Sequence, residues 1–221
     1  MKIVTREAYE VLVDGAEVLE KDRQGPKILA SGGRIVKLMR VRRRISTNLL
    51  FPHALRFSRN AQRLAERGVR SLTVELAGRL PHLGCQVVVY GMLPGNAIRS
   101  LPVEGGEGMM RRFGRYLAEI HERGVYFRSL HLGNVLYQSD DGGFALIDIL
   151  DLKVGRWPLG RRRRRGNILR LLRYEVDRTR MAAHWREFRE GYEGWVRENA
   201  PGRMREVAGI FAAVEGELGA A

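Results

Sequence analysis

Two short apolar runs, residues 27–30 and 34–38, are joined only by Ser31-Gly32-Gly33. Runs this short, rich in Ile, Val and Leu and divided by a glycine pair, favour a β-hairpin over a helix. Similar runs lie at residues 3–4, 17–19 and 86–90, with a second turn signal at Gln24-Gly25-Pro26. Between residues 52 and 68 the pattern changes. Leu55, Ala61, Leu64 and Ala65 fall at helical spacing, and Gly68 stands where a C-cap belongs. The first hundred residues therefore read as a small sheet carrying one helix.

Beyond about residue 105 the pattern is mostly helical. Met109, Met110, Phe113, Leu117 and Ile120 make one apolar stripe, closed by Gly124. Residues 134–137 and 144–148 read as two short strands around a turn at residues 140–143. Helical spacing resumes from Asn167 through Ile168, Leu171, Leu172 and Tyr174, then Trp185, Phe188 and Tyr192. Pro94-Gly95 marks the change of regime and is the hinge candidate. The expected division is a β-rich part over residues 1–93 and a helical part over residues 94–221.

Charge limits the partners. The 221 residues carry 39 Lys and Arg against 25 Asp and Glu, a net charge of +14. Such an excess attracts polyanions: phosphates, nucleic acid or an anionic membrane surface. A single cysteine, Cys85, excludes an intrachain disulfide framework and a Cys-rich zinc site, and it reads as a small buried hydrophobe. His53, His82, His121 and His184 lack metal-ligand spacing, and Trp157, Trp185 and Trp195 read as packing residues. No apolar run approaches the roughly 18 residues of a membrane span. The first ten residues are charged and lack the core of a signal peptide. The expectation is a soluble, cytoplasmic, basic protein.

Three residues invite chemistry. Lys37 interrupts the apolar run Ile35-Val36-Lys37-Leu38, so its ammonium needs a counter-charge such as a nucleotide phosphate. By periodicity alone, an outward-facing lysine is the commoner case. Asn134, in a loop before a strand, offers a hard oxygen to Mg²⁺, although Gly-Asn is also ordinary turn chemistry. Asp148 ends the run 144–147, where a carboxylate is costly unless paired or bound to a cation, or else serves as a cap or turn residue.

The order of these features resembles the protein-kinase-like fold. Ser129-Leu130-His131-Leu132-Gly133-Asn134 looks like the His-x-Asp-Leu-His-x-x-Asn loop of small bacterial kinases. Length and basic character bring the chain nearest to the lipopolysaccharide core-sugar (heptose and Kdo) kinases. Residues 126–134 and 146–149 are similar to a pseudomonad "toluene tolerance" branch, and the resemblance spans residues 17 to about 190.

The resemblance implies an α+β, two-lobed fold, with a small β-rich N-terminal lobe covering the nucleotide and a helical C-terminal lobe. It implies ATP and Mg²⁺ as cofactors. Lys37 would contact the α- and β-phosphates, and Gly25, in the turn over residues 21–27, would cover them. Residues 86–93, with Tyr90 and Met92, would form the adenine hinge, and Asn134 and Asp148 would hold Mg²⁺. Two departures stand out. Ser129 occupies the place of the catalytic aspartate and Phe127 that of the preceding histidine, so His131 or Asp151 would have to substitute as base. Phe57 stands near the place of the helix glutamate, with Asn60 and Glu66 the closest polar residues.

Arg161, Arg162, Arg163, Arg164 and Arg165 would meet an anionic acceptor or a membrane, and Arg40 with Arg42, Arg43 and Arg44 forms a second basic cluster. The implied activity is ATP-dependent phosphorylation of a lipopolysaccharide core sugar. The partner would be an anionic glycolipid or lipopolysaccharide core, with peripheral contact at the inner face of the inner membrane and no nucleic acid. Ser129 leaves a second reading, a pseudokinase scaffold or regulator of envelope assembly.

Overall fold

The computed structural model describes residues 1–40, 52–104 and 106–219. The chain divides into two compact units: Met1–Glu66 with Ser71–Leu93, and Arg67–Arg70 with Pro94–Ala221.

The first unit contains β1 (Lys2–Ile3), α1 (Arg6–Val13), β2 (Glu17–Asp22), β3 (Gly25–Ser31), β4 (Arg34–Arg40), α2 (His53–Glu66), β5 (Val74–Leu80) and β6 (Cys85–Gly91). Its strands form one sheet in the order β1-β5-β6-β4-β3-β2. The expected hairpin is β3–β4, with Ser31 opposite Arg34 and only Gly32-Gly33 between them. Both glycines have positive φ, at 54° and 74°, as a tight primed turn requires. The expected helix is α2, and Gly68 lies two residues beyond its end with φ 62°.

Two elements escape the sequence pattern. Helix α1 is short and buries none of its residues, but Thr5 caps it, accepting from the Ala8 N–H at 3.2 Å. Strand β5 runs antiparallel to β6, with a register shift between Val74 and Leu76.

Strand β4 is buried on both faces. On one face Val36 and Leu38 join Val4, Leu29, Leu80, Cys85, Val87 and Val89, with Tyr9, Leu12 and Val13 packed over them. Side chains alternate along a strand, so the opposite face carries Ile35, Lys37 and Met39. That face meets Phe57, which packs against both Lys37 and Tyr90. Gln86, buried in β6, accepts from the Ala54 N–H at 2.9 Å and fastens the start of α2 to the sheet.

The second unit contains β7 (Asn96–Ala97), α3 (Glu107–Glu122), β8 (Val125–Phe127), β9 (Val135–Gln138), β10 (Gly143–Leu146), β11 (Leu152–Val154), α4 (Arg161–Leu171), α5 (Glu175–Ala183), α6 (Trp185–Asn199) and α7 (Met204–Gly219). Strands β10, β9 and β7 form a small sheet, and β8 pairs with β11. The stripe foreseen on α3 is buried at Met110, Phe113, Leu117 and Ile120. Helices α3 and α6 pack backbone to backbone at two glycines. A Cβ on Gly114 would overlap the Phe188 carbonyl, and one on Gly191 the Arg111 carbonyl.

Three expectations need correction. The arginine tract belongs to α4, which starts at Arg161 rather than at Asn167, because arginine is a good helix former and the helix tolerates Gly166. Arg164 has no exposed side chain. It donates to the Leu159 carbonyl at 2.6 Å and the Tyr192 hydroxyl at 3.0 Å, and pairs with Glu122 at 2.5 Å. It is therefore unavailable to an external anion. Trp157 is not packed but 77% exposed.

Arg164 belongs to a buried network. Tyr192 bonds His121 Nδ1 at 2.8 Å, and His121 Nε2 bonds Asn167 Oδ1 at 3.2 Å. Burial, then the charge of Arg164, lowers the His121 pKa to about 3. The unfolded chain protonates this imidazole near the ordinary value of 6.5, so it binds more protons than the folded chain between those two values. Stability is therefore full above pH 6.5 and falls as pH drops through that window, at up to about 1.4 kcal/mol per unit. Urea denaturation at about pH 7.5 and about pH 5 should differ by about 2 kcal/mol from this group, and His121→Gln should remove that part of the slope.

Candidate functional site

Within the first unit, the candidate nucleotide residues follow from strand geometry. Lys37 is only 6% exposed, paired across the ladder with Ile28 and Val88. Its Nζ lies 5.7 Å from the centroid of the Phe57 ring. The aromatic face that replaces the expected glutamate thus supplies a cation–π contact. Asn60 is buried on the same helix. Tyr90 stacks on Phe57 with centroids 5.7 Å apart.

Gly25 opens β3 at φ 113°, opposite Asp22. The β2–β3 turn is fastened from β4: Arg40 pairs with Asp22 at 2.7 Å and donates to the carbonyls of Gln24 and Pro26. Met92 departs from the hinge expectation in one respect. Its N–H already donates to the Gly33 carbonyl at 2.8 Å, so that group is not available to an adenine edge. Arg42, Arg43 and Arg44 lie outside the described residues.

Within the second unit, residues 127–134 form a loop held by side chains from distant elements. At its start, Asn167 of α4 grips Phe127 twice: Nδ2 donates to the Phe127 carbonyl at 2.7 Å, and Oδ1 accepts its N–H at 3.2 Å. At its end, Asn134 Nδ2 donates to the Ser129 carbonyl at 2.9 Å. This fixes which end of the amide faces the loop and leaves Oδ1 as the acceptor. The Asn134 carbonyl accepts the Ile147 N–H at 3.0 Å, which brings Asp148 beside the loop.

Asp148 lies two residues beyond β10, at φ 49° and ψ 48°. It is the one non-glycine with positive φ among the described residues. Such a conformation costs about 1–3 kcal/mol and persists where surrounding structure over-determines it, often at functional sites. Two hard oxygen donors close in the fold, one a carboxylate, suit Mg²⁺.

The candidate bases separate. Among the described residues, no carboxylate or imidazole hydrogen-bonds the Ser129 hydroxyl. His131 has its Nδ1 engaged. Its Nδ1 accepts from the Gly133 N–H at 3.1 Å and faces Arg99 Nη2 at 3.2 Å, so the ring proton resides on Nε2. Burial, then the Arg99 charge, lowers its pKa, keeping it a neutral donor. Asp151 is exposed, and its carbonyl accepts the Arg128 N–H at 3.1 Å, next to Ser129.

Two functional neighbours, Arg99 and Asp177, carry no local sequence signal. Asp177 of α5, with no exposed side chain, binds Arg99 through both oxygens at 2.7 Å. It also accepts the Leu132 N–H at 3.2 Å. Tyr174 packs against His131, and the Arg99 guanidinium lies 5.0 Å from its ring centroid.

Replacing Asp177 by Asn should loosen the loop at Leu132. Hydrogen bonds to charged groups contribute about 1.5–3 kcal/mol, so protection of the Leu132 amide against exchange should fall about 10- to 100-fold. Unchanged exchange at Leu132 in Asp177→Asn would contradict this role.

The model of the lipopolysaccharide kinase (Kdo/WaaP) family matches residues 96–192, which span the loop, Asn134, Asp148 and Asp177. Among solved structures, the chain is similar to WaaP in complex with acyl carrier protein: 19% identity, 98% of each chain covered and a TM-score of 0.53. It is also similar to an aminoglycoside-3'-phosphotransferase of type VIII, at 18% identity and a TM-score of 0.60, covering 92% of this chain and 98% of that one. No curated protein sequence matches. The fold is α+β and protein-kinase-like. Among the described residues, no helix is long and apolar enough to cross a membrane.

Proposed function

We propose that this chain is an ATP-dependent phosphotransferase acting on a core sugar of an anionic, lipid-linked glycan of the lipopolysaccharide type. The observation that carries the reading is the backbone bond from the Ile147 N–H to the Asn134 carbonyl, which sets Asn134 and Asp148 on neighbouring segments. One side-chain oxygen is oriented by the Ser129 carbonyl, and one carboxylate is held on a strained backbone beside it. The match to the lipopolysaccharide kinase family over residues 96–192 supports the acceptor class.

In this reading Asn134 and Asp148 hold Mg²⁺, which when bound neutralises charge on the nucleotide phosphates. Lys37 supplies an ammonium to those phosphates, with Phe57 as the wall that keeps it in place. Gly25 and its neighbours form the covering turn, and Tyr90 and Met92 flank the base. His131 acts as a fixed N–H donor rather than a base. Asp151 takes the acceptor hydroxyl proton in place of an aspartate at position 129. Phosphoryl transfer depends mainly on positioning and electrostatics, so displacement of the base slows the reaction without removing its framework.

The test is transfer of labelled γ-phosphate from ATP to purified lipopolysaccharide core. Asp148→Ala should abolish Mg²⁺-dependent ATP binding. Asp151→Asn should lower transfer about 10²–10⁴-fold while leaving ATP affinity unchanged. A wild-type rate in Asp151→Asn would remove that residue from the mechanism. Tight Mg²⁺-dependent ATP binding with no transfer to any core acceptor would favour the scaffold reading instead.

A further inference from the structure

We propose that Arg173, held against the ring of Tyr174 beside the 127–134 loop, binds an anionic group that the acceptor sugar already carries, a carboxylate or a phosphate ester. Both residues belong to the short link between α4 and α5. Tyr174 is 43% exposed, and Arg173 is exposed as well. Neither lies on slack chain. The Arg173 N–H donates to the Arg170 carbonyl at 3.3 Å, and the Tyr174 carbonyl accepts the Arg178 N–H at 2.8 Å. Three residues beyond Tyr174, Asp177 binds Arg99 and the Leu132 N–H. The link is therefore tied to the same loop that carries His131 and Asn134.

Tyr174 stands at the N-cap of α5, where Ser, Thr, Asp or Asn would satisfy an orphan amide, and its own side chain makes no cap bond. The position instead places a ring among charged neighbours. Its edge meets His131, with centroids 5.3 Å apart and planes at 82°. The Arg99 and Arg173 guanidinium groups lie 5.0 Å and 5.6 Å from its centroid. The two arginines differ in what they hold. Arg99 is neutralised by Asp177 through two bonds of 2.7 Å. Arg173 pairs with no carboxylate among the described residues. Glu175, the next acid along the chain, opens α5, where its charge suits the helix dipole. A guanidinium resting on an aromatic ring keeps its fork of N–H donors for another partner, and a carboxylate or phosphate matches that fork.

The charge of this corner selects the ligand. Arg99, Asp177, Asp148 and Arg173 all act on the His131 imidazole, so Arg173 lies within electrostatic reach of the candidate metal carboxylate. Arg99 and Asp177 cancel as a pair. In the phosphotransferase reading, on which this inference rests, Asp148 holds Mg²⁺, and Arg173 is the cation left over. The nucleotide phosphates have Mg²⁺ and Lys37 in that reading, whereas no charged side chain at the loop serves the acceptor. An oxyanion on the acceptor meets Arg173 while a hydroxyl of the same glycan faces the loop. Charge then sets acceptor choice as well as shape, because a sugar lacking the anion leaves the guanidinium without its partner.

The experiment reads binding to the full chain without ATP, so a chain that moves no phosphate still gives an answer. Titration calorimetry uses purified lipopolysaccharide core oligosaccharide in three forms: native, dephosphorylated and carboxyl-reduced. Arg173→Gln should weaken binding of the native core about 10- to 100-fold, the effect of losing a bond to a charged group, and Arg173→Lys should recover part of it. One treated core should bind the wild type as weakly as the native core binds Arg173→Gln, and should lose nothing further in that variant. Which treatment does so separates phosphate from carboxylate. Tyr174→Ala should weaken binding about two- to fivefold, and Tyr174→Phe should not. Unchanged protection of the Leu132 amide in Arg173→Gln checks that the loop is intact. Equal binding of the native core by wild type and Arg173→Gln, or the same loss in the variant on all three cores, overturns the proposal. So does a loss of Mg²⁺-dependent ATP affinity in Arg173→Gln, which gives the guanidinium to the nucleotide. Core binding that needs Arg173, with no labelled phosphate transferred, upholds the subsite and fails the phosphotransferase reading. Transfer that is indifferent to Arg173 fails the subsite alone.

Discussion

A carboxylate with no access to solvent organises the centre of the second unit. Asp177 offers four lone-pair directions, and the fold uses three of them on one guanidinium and one loop amide. A buried charge is costly unless paired and hydrogen-bonded, and both conditions are met here. Arg99 Nη2, which donates to Asp177 Oδ2, also faces His131 Nδ1 with its second proton, which fixes the histidine tautomer. The position of Leu132, the state of His131 and the register of Asn134 therefore share one anchor. Asn167 does the equivalent work at the start of the loop, replacing with one amide the two backbone partners that a strand would have given Phe127.

The same unit divides its arginines by side of helix. Arg164 turns inward and joins Glu122, Tyr192, His121 and Asn167 in a chain of polar contacts that ends on Phe127. Arg161, Arg162 and Arg163 turn outward and, among the described residues, pair with no carboxylate. A run of five arginines thus serves two purposes, one inside the fold and one on its surface. The inward residue links α4 to α3 and α6, and through Asn167 it supports the loop that holds Asn134.

Much of this was legible in the sequence where the signal is local. The β3–β4 hairpin followed from two glycines between apolar runs, and the placing of Lys37 followed from its neighbours in β4. Its burial did not follow, because periodicity cannot tell a strand covered on one face from a strand covered on both. The Asn134 loop and Asp148 were recognisable from residue types and order. Arg99, Asn167 and Asp177 were not, since each bonds a group about forty to eighty residues away and belongs to no local pattern. Helix α1 is brief and half-exposed, so it gives no apolar stripe. The inward turn of Arg164 was not legible, because five identical residues carry no signal of which one faces the interior. The engagement of His131 Nδ1 by Gly133 and Arg99 is likewise invisible in residue order.

The central claim is that Asn134 and Asp148 together hold a nucleotide-bound divalent cation. Paramagnetic broadening by Mn²⁺ with ATP reports on that position directly, amide by amide. The account predicts selective loss of signal at residues 132–134 and 147–149 when Mn²⁺ and ATP are both present, and no such loss in Asp148→Ala. Broadening that spares these residues, or that persists at them in Asp148→Ala, would contradict it.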